Sequence, residues 1–140
     1  MKILVAVDGS AYTKRMLAYL AAHDEWLGSA HQYTVVHAVP AVPPRAAAVL
    51  DKEVLKSYYD DEAEKVLKTI RTFFGKQKIQ AEFVSKVGPA ADVIAALAGK
   101  GKFDLLMLGS HGHSSLGNLV MGSVATKVMA HCTAPVLLVR

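Results

Sequence analysis

The chain has 140 residues, 52% of them hydrophobic and 20% charged, with a net charge of +4 and one cysteine. That length suits one domain with a self-sufficient core, and the apolar fraction excludes a disordered chain. Cys132 has no partner in the sequence, which excludes an internal disulfide framework and fits a reducing compartment.

Residues 2–7 (KILVAV) read as a strand covered on both faces. Asp8-Gly9-Ser10 follows as a turn, with Ser10 or Thr13 as the N-cap of a helix over 12–26, where Met16, Leu17, Leu20 and Ala21 recur at helical spacing. After Gly28-Ser29, residues 33–39 (YTVVHAV) form a second strand, ended by Pro40 and the Pro43-Pro44 pair. Proline cannot continue a ladder, so 40–47 is expected as a loop or irregular crossover.

The longest helix is predicted over 51–74, where Leu55, Tyr58, Ala63, Val66, Leu67, Ile70 and Phe74 form an apolar stripe. Its acidic residues gather early and its basic ones late, as the helix dipole prefers. Residues 79–87 make a third strand, nearer an edge because it carries Gln80, Glu82 and Lys86. Gly88-Pro89 opens a helix running to Gly99 or Gly101. Residues 104–108 (DLLML) are a buried fourth strand leading into a glycine-rich segment over 109–122. A last helix covers 123–131, and a last strand covers 135–139, opening at Pro135 and closing at Val139.

Five strands joined by helical crossovers predict an α/β fold, a single-domain, doubly wound five-stranded parallel sheet. Right-handed crossovers favour the order 3-2-1-4-5. The longest uninterrupted apolar runs are about six residues, against the roughly 20 that a membrane span needs. No membrane segment is expected. The N-terminus carries no long apolar region followed by a small-residue cleavage site, so the expected location is the cytoplasm. The densest basic stretch, Lys65, Lys68, Arg71, Lys76 and Lys78, falls at a helix end and complements its dipole. No nucleic-acid partner is expected.

In such a sheet, ligands bind beyond the carboxyl ends of the strands where the winding reverses, here between strands one and four. Asp8 and the segment over 109–123 leave those ends. That segment holds Gly109, Gly112, Gly117 and Gly122 with Ser110, Ser114, Ser115 and Ser123. Glycines let amides approach an anion, serines add donors, and the next helix offers its unpaired N–H groups, so the segment suits a phosphate. The plainer reading is a glycine-rich corner, although its length exceeds that of ordinary connections.

Rival motifs fail by spelling. Asn118 stands where a P-loop needs lysine, the first turn lacks the dinucleotide glycine fingerprint, and Leu116 stands where a nucleophile elbow needs glycine. Asp8 either caps the Gly9-Ser10 turn, bonds a ribose or holds a hydrated metal. His111 and His113 are polar loop residues facing solvent or phosphate, or else a weak metal pair lacking a third ligand. His37 and His131 read as packing and dipole partners, and Cys132 as a small buried hydrophobe.

Read together, these residues resemble the universal stress protein family. The match spans KILVAVDGS, VVHAV, Gly88-Pro89-Ala90, FDLLMLGSHG and GSVATKVMAHCTAPVLLVR. Its sharpest feature is the spacing of Gly109, Gly112, Gly122 and Ser123, which in the family marks the ATP-binding branch. The resemblance implies the adenine nucleotide alpha hydrolase-like fold and ATP as ligand, with magnesium or manganese accompanying a triphosphate. It implies that Asp8 bonds the ribose, that Ala6 and Val7 line the adenine pocket, and that the backbone of Ala38 reads the base. Gly109, Gly112, Gly122, Ser123, Val124 and Thr126 would hold the phosphates, with His111 and His113 standing where many members have arginine. Their protonation would then make triphosphate affinity pH-dependent. The resemblance also implies a homodimer through the strand from Pro135 to Val139.

The expected role is a nucleotide-dependent stress-response regulator or sensor with a downstream protein partner. The alternatives are a slow ATPase or autophosphorylating enzyme, or a binder of another small anion in the same crevice. Efficient turnover is not expected, because no lysine lies in the phosphate loop.

Overall fold

The computed structural model describes residues 1–113 and 120–140. Five strands, β1 (Lys2–Ala6), β2 (Gln32–Val39), β3 (Ala81–Val87), β4 (Leu105–Gly109) and β5 (Val136–Val139), form one sheet in the order β3-β2-β1-β4-β5. Every pairing is parallel. The predicted order is therefore the observed one. β1 lies at the centre and is paired on both sides, with Ala6 opposite Val36 and Val5 opposite Met107.

Helices cover both faces. α1 (Ala11–Ala22) and α3 (Lys52–Lys76) lie on one, α4 (Ala90–Gly101) and α5 (Ser123–His131) on the other. The period-2 alternation of strand side chains divides the core accordingly. Ile3, Val5, Val35 and Met107 meet Met16, Leu20, Leu67 and Ile70 on the first face. Leu4, Val36, Leu106 and Leu108 meet Ile94, Ala98 and Val128 on the second. All these side chains are buried, and truncating a buried Leu or Ile of this kind to Ala costs about 2–5 kcal/mol.

Two details differ from the sequence expectation. A short helix, α2 (Pro44–Ala48), occupies part of the predicted 40–47 loop. Pro44 sits at its first position, where the missing N–H breaks no bond and the fixed φ suits helical geometry. The first helix ends at Ala22 instead of 26, and the His23 N–H donates to the Leu20 carbonyl as the chain tightens into a turn. Cys132, half-buried beyond α5, has its thiol pKa pushed up by that burial. Among the described residues no helix is long and apolar enough to cross a membrane.

Candidate functional site

The site begins where β1 leaves the sheet. The Asp8 N–H donates to Thr13 Oγ1 (3.1 Å), and the Thr13 hydroxyl donates back to Asp8 Oδ1 (2.9 Å). Asp8 Oδ1 also accepts the Ser10 N–H (2.9 Å), closing an Asx turn in which Gly9 takes φ +77°. Ser10 in turn caps α1 by accepting from the Thr13 amide. The capping reading of Asp8 is therefore the observed one. Oδ1 caps the turn, while Oδ2 points at Gly112, where an added Cβ would lie 2.7 Å away.

The neighbouring backbone is fixed from below. The buried His37 donates from Nδ1 to the Val7 carbonyl (2.9 Å), and the Val7 N–H donates to the Val36 carbonyl (2.9 Å). The β1–β2 register ends at Ala6 opposite Val36. In a parallel ladder, alternate residues address the same neighbour. Ala38 therefore turns its N–H and C=O toward ground that β1 has already left, and such a donor–acceptor pair suits the edge of a planar base.

Ala6, Val7, Asp8, Ala38, Gly109 and Val124 share a crevice of about 80 Å³. Thr13, Val36, His37, Ala90, Ile94 and Leu108 complete its walls, and these wall residues were not legible as site residues in the sequence. Only Thr13 had a local signal, as a candidate cap. A larger groove of about 780 Å³ runs at the amino ends of β2 and β3, past Lys2, His31, Lys78 and Glu82. Open parallel sheets hold ligands at the carboxyl ends, so the smaller crevice is the candidate site.

The described glycines of the segment after β4 lie in tight packing beside this crevice. Gly109 packs against α1: a Cβ there would meet Tyr12 Cβ at 2.7 Å. Gly122 is wedged between backbone atoms, with a virtual Cβ 3.1 Å from His111 Cα and 3.2 Å from the Ser110 carbonyl oxygen. Its own N–H is committed to that carbonyl (2.6 Å). Two of the glycines thus serve loop packing, and Gly112 serves the approach to Asp8. Gly122 is also the N-cap of α5, with no side-chain cap bond and no acidic residue in the first turn. Ser123 and Val124 begin the helix, so their amides are among the four that no intrahelical carbonyl can satisfy. The Thr126 hydroxyl donates to the Gly122 carbonyl (2.8 Å) and holds the helix start in place.

The two loop histidines go to different places. His113 donates from Nε2 to the Asp8 carbonyl (2.7 Å), clasping the loop to the end of β1. His111 pairs through Nδ1 with Ser110 Oγ (2.9 Å), and its ring lies 5.0 Å from that of Tyr12. The Arg15 guanidinium also lies over the Tyr12 ring, 4.9 Å from its centre. Among the described residues no group of three His, Cys, Asp or Glu side chains is arranged to hold a metal. Ser114, Ser115, Gly117 and Asn118 lie outside the described residues.

Comparison with known proteins agrees with this architecture. A family model described as the universal stress protein family matches residues 1–140. A universal stress protein of Thermus aquaticus, encoded in a QAH/OAS sulfhydrylase 3′ region, is 35% identical over 138 residues, covering 99% of this chain and 97% of that one. Among solved structures, the universal stress protein UspA from Lactobacillus plantarum superposes with a TM-score of 0.78 at 21% identity, covering 100% of this chain and 97% of that one. A universal stress protein family member from Arabidopsis thaliana with AMP bound gives a TM-score of 0.70 at 17% identity, over 99% of this chain and 90% of that one. At those identities the two structures establish the fold.

Proposed function

The chain belongs to the universal stress protein family, and from that premise we propose that it is an ATP-binding regulator or sensor of the stress response. The observation that carries this reading is the convergence of Asp8 Oδ2, the Gly112 backbone and the uncapped start of α5 at the mouth of one apolar crevice. A ribose needs a hydrogen-bond acceptor, a base needs an apolar slot with a backbone edge, and phosphates need unpaired amides at a helix N-terminus. Asp8, then Ala6, Val7 and Ala38, then Gly112, Ser123 and Val124 meet those needs in that order. Gly109, Gly122 and Thr126 shape the loop, and His111 lies beside it. The AMP carried by the Arabidopsis relative supports an adenine nucleotide as the ligand class.

In this reading the 140 residues act as one domain in the cytoplasm, and a magnesium or manganese ion accompanies a bound triphosphate. No nucleic acid or membrane takes part. The partners are the nucleotide, a downstream protein and a second copy of the chain joined through β5, an apolar edge strand whose outer side pairs with no strand among the described residues. Residues 109–123 contain no lysine or arginine to stabilise a transferring phosphoryl group. Sensing is therefore preferred to turnover.

Calorimetric titration with ATP on the wild type and on Gly122→Val tests the reading. The added side chain meets backbone atoms of Ser110 and His111 that cannot yield without moving the loop. The expected result is a loss of affinity of about tenfold or more, or about 1.4 kcal/mol. Equal binding by both proteins would remove the phosphate cradle from the argument. Mass spectrometry of the ligand released from natively purified protein distinguishes an adenine nucleotide from another anion.

A further inference from the structure

α3 is 25 residues long, and its buried positions are Ala63, Leu67, Ile70 and Phe74. Continued toward the N-terminus at the same helical spacing, this core-facing row passes through Tyr59, Lys56 and Lys52. The row is apolar wherever α3 packs on the sheet, then becomes two lysines one turn apart. Both lysines are exposed, on the side of α3 that looks toward the strand ends.

These lysines border a recess of about 330 Å³ between the first turns of α3 and the carboxyl ends of β2 and β3. Val39 and Leu55 give it an apolar floor, with Val87 at the rim, and Ser85 adds a hydroxyl. The Tyr59 hydroxyl is held at one end by the Val42 N–H (2.9 Å). Asp60 is the one carboxylate in the lining. Among the described residues neither lysine is in an ion pair: the two salt bridges of α3 join Lys65 to Glu62 and Arg71 to Glu64. The recess lies on the α3 face of the sheet, whereas the nucleotide crevice is walled by Ile94, Leu108 and Val124 on the other face.

The geometry points to a second ligand site here, taking a small organic phosphate whose apolar body lies on Val39 and Leu55 and whose dianion is held by Lys52, Lys56 and the Ser85 hydroxyl. Two ammonium groups one helical turn apart match a doubly charged head group, and charge-assisted hydrogen bonds are the stronger kind. An apolar floor selects a phosphate ester over the free ion. This proposal stands independently of the nucleotide reading.

Amide chemical-shift titration of the full chain with phenyl phosphate tests it. Saturating shifts at Lys52, Lys56, Ser85 and Val87 are expected, with inorganic phosphate binding about tenfold more weakly for want of an apolar body. The Lys52→Met/Lys56→Met protein should bind phenyl phosphate about tenfold or more weakly, which is about 1.4 kcal/mol. Both lysines are exposed, so the fold should survive, and Lys56→Glu alone provides a second variant with the same expected direction. Linear, unsaturated shifts, shifts confined to the Asp8 and Ala38 crevice, or unchanged affinity in both variants would overturn the proposal.

Discussion

Asp8 and Gly112, 104 residues apart, are in direct contact: a methyl group added to Gly112 would lie 2.7 Å from Asp8 Oδ2. No real Cβ tolerates that distance. Gly112→Ala therefore forces either the loop or the carboxylate to move, at the point where the proposed ribose acceptor and phosphate loop meet. The expected outcome is weaker ATP binding by about tenfold with little change in thermal stability, read by calorimetry and a melting curve in parallel. Undiminished affinity would show that the Asp8–Gly112 contact is irrelevant to the ligand.

Thr13 is buried and holds Asp8 through two hydrogen bonds. Thr13→Val keeps the shape, removes the hydroxyl and strands the Asp8 N–H. A loss of stability of about 1–3 kcal/mol is expected from the lost partner, measured by urea denaturation. Nucleotide affinity should fall as well, because the carboxylate keeps only the Ser10 N–H of the two donors that orient it. A variant as stable as the wild type would mean that Asp8 finds another donor.

The Tyr33 hydroxyl is buried and, among the described residues, has no hydrogen-bond partner. Burial pushes its pKa up, against a smaller opposing influence of the Gly28 backbone. Tyr33→Phe should therefore be neutral or stabilising by up to about 1 kcal/mol at neutral pH. The sign of the pH effect follows from the raised pKa. The folded state keeps the phenol proton longer than the unfolded chain, so this residue's contribution is intact below the ordinary tyrosine range and declines as pH rises through it. The variant should lose less stability than the wild type in alkaline solution, as followed by denaturant titration. An equal loss in both would assign the alkaline decline to other groups.

Leu138 offers a test of the proposed pairing of two chains. The Pro135 and Val139 carbonyls accept bonds from β4, at Leu106 and Ser110, so the alternating residue Leu138 turns its N–H to the open edge. Leu138→Pro removes that outward donor without cutting the β4–β5 ladder. The expected result is a monomer by sedimentation, with the α/β circular dichroism spectrum retained. A folded variant that stays dimeric would move the interface away from β5.

The sheet was legible because its evidence is local and repeated. Runs such as KILVAV and DLLML are too short for helices and too apolar for exposed strands, and right-handed crossovers leave few windings to choose from. The candidate site could be located in the sequence where one residue type has few uses, as with Asp8 at a strand end and the glycines after β4. The sequence did not disclose that Gly109 makes room for Tyr12, or that His113 clasps the Asp8 carbonyl. Those contacts join segments about a hundred residues apart, and no spacing rule relates them. α2 was hidden for a different reason: a proline that ends a strand is also a favourable first residue of a helix, and Pro44 is the latter.

Ala38 and Val39 stand side by side at the end of β2, one on the crevice beside Asp8 and the other on the lysine recess. Adjacent strand residues face opposite sides of a sheet, so inserting or deleting a single residue there would exchange the two walls. The Ala38 wall of one cavity and the apolar floor of the other would be lost in the same event. A one-residue change in the length of β2 at this end is therefore expected to disturb both cavities at once, whereas a substitution can alter one and spare the other.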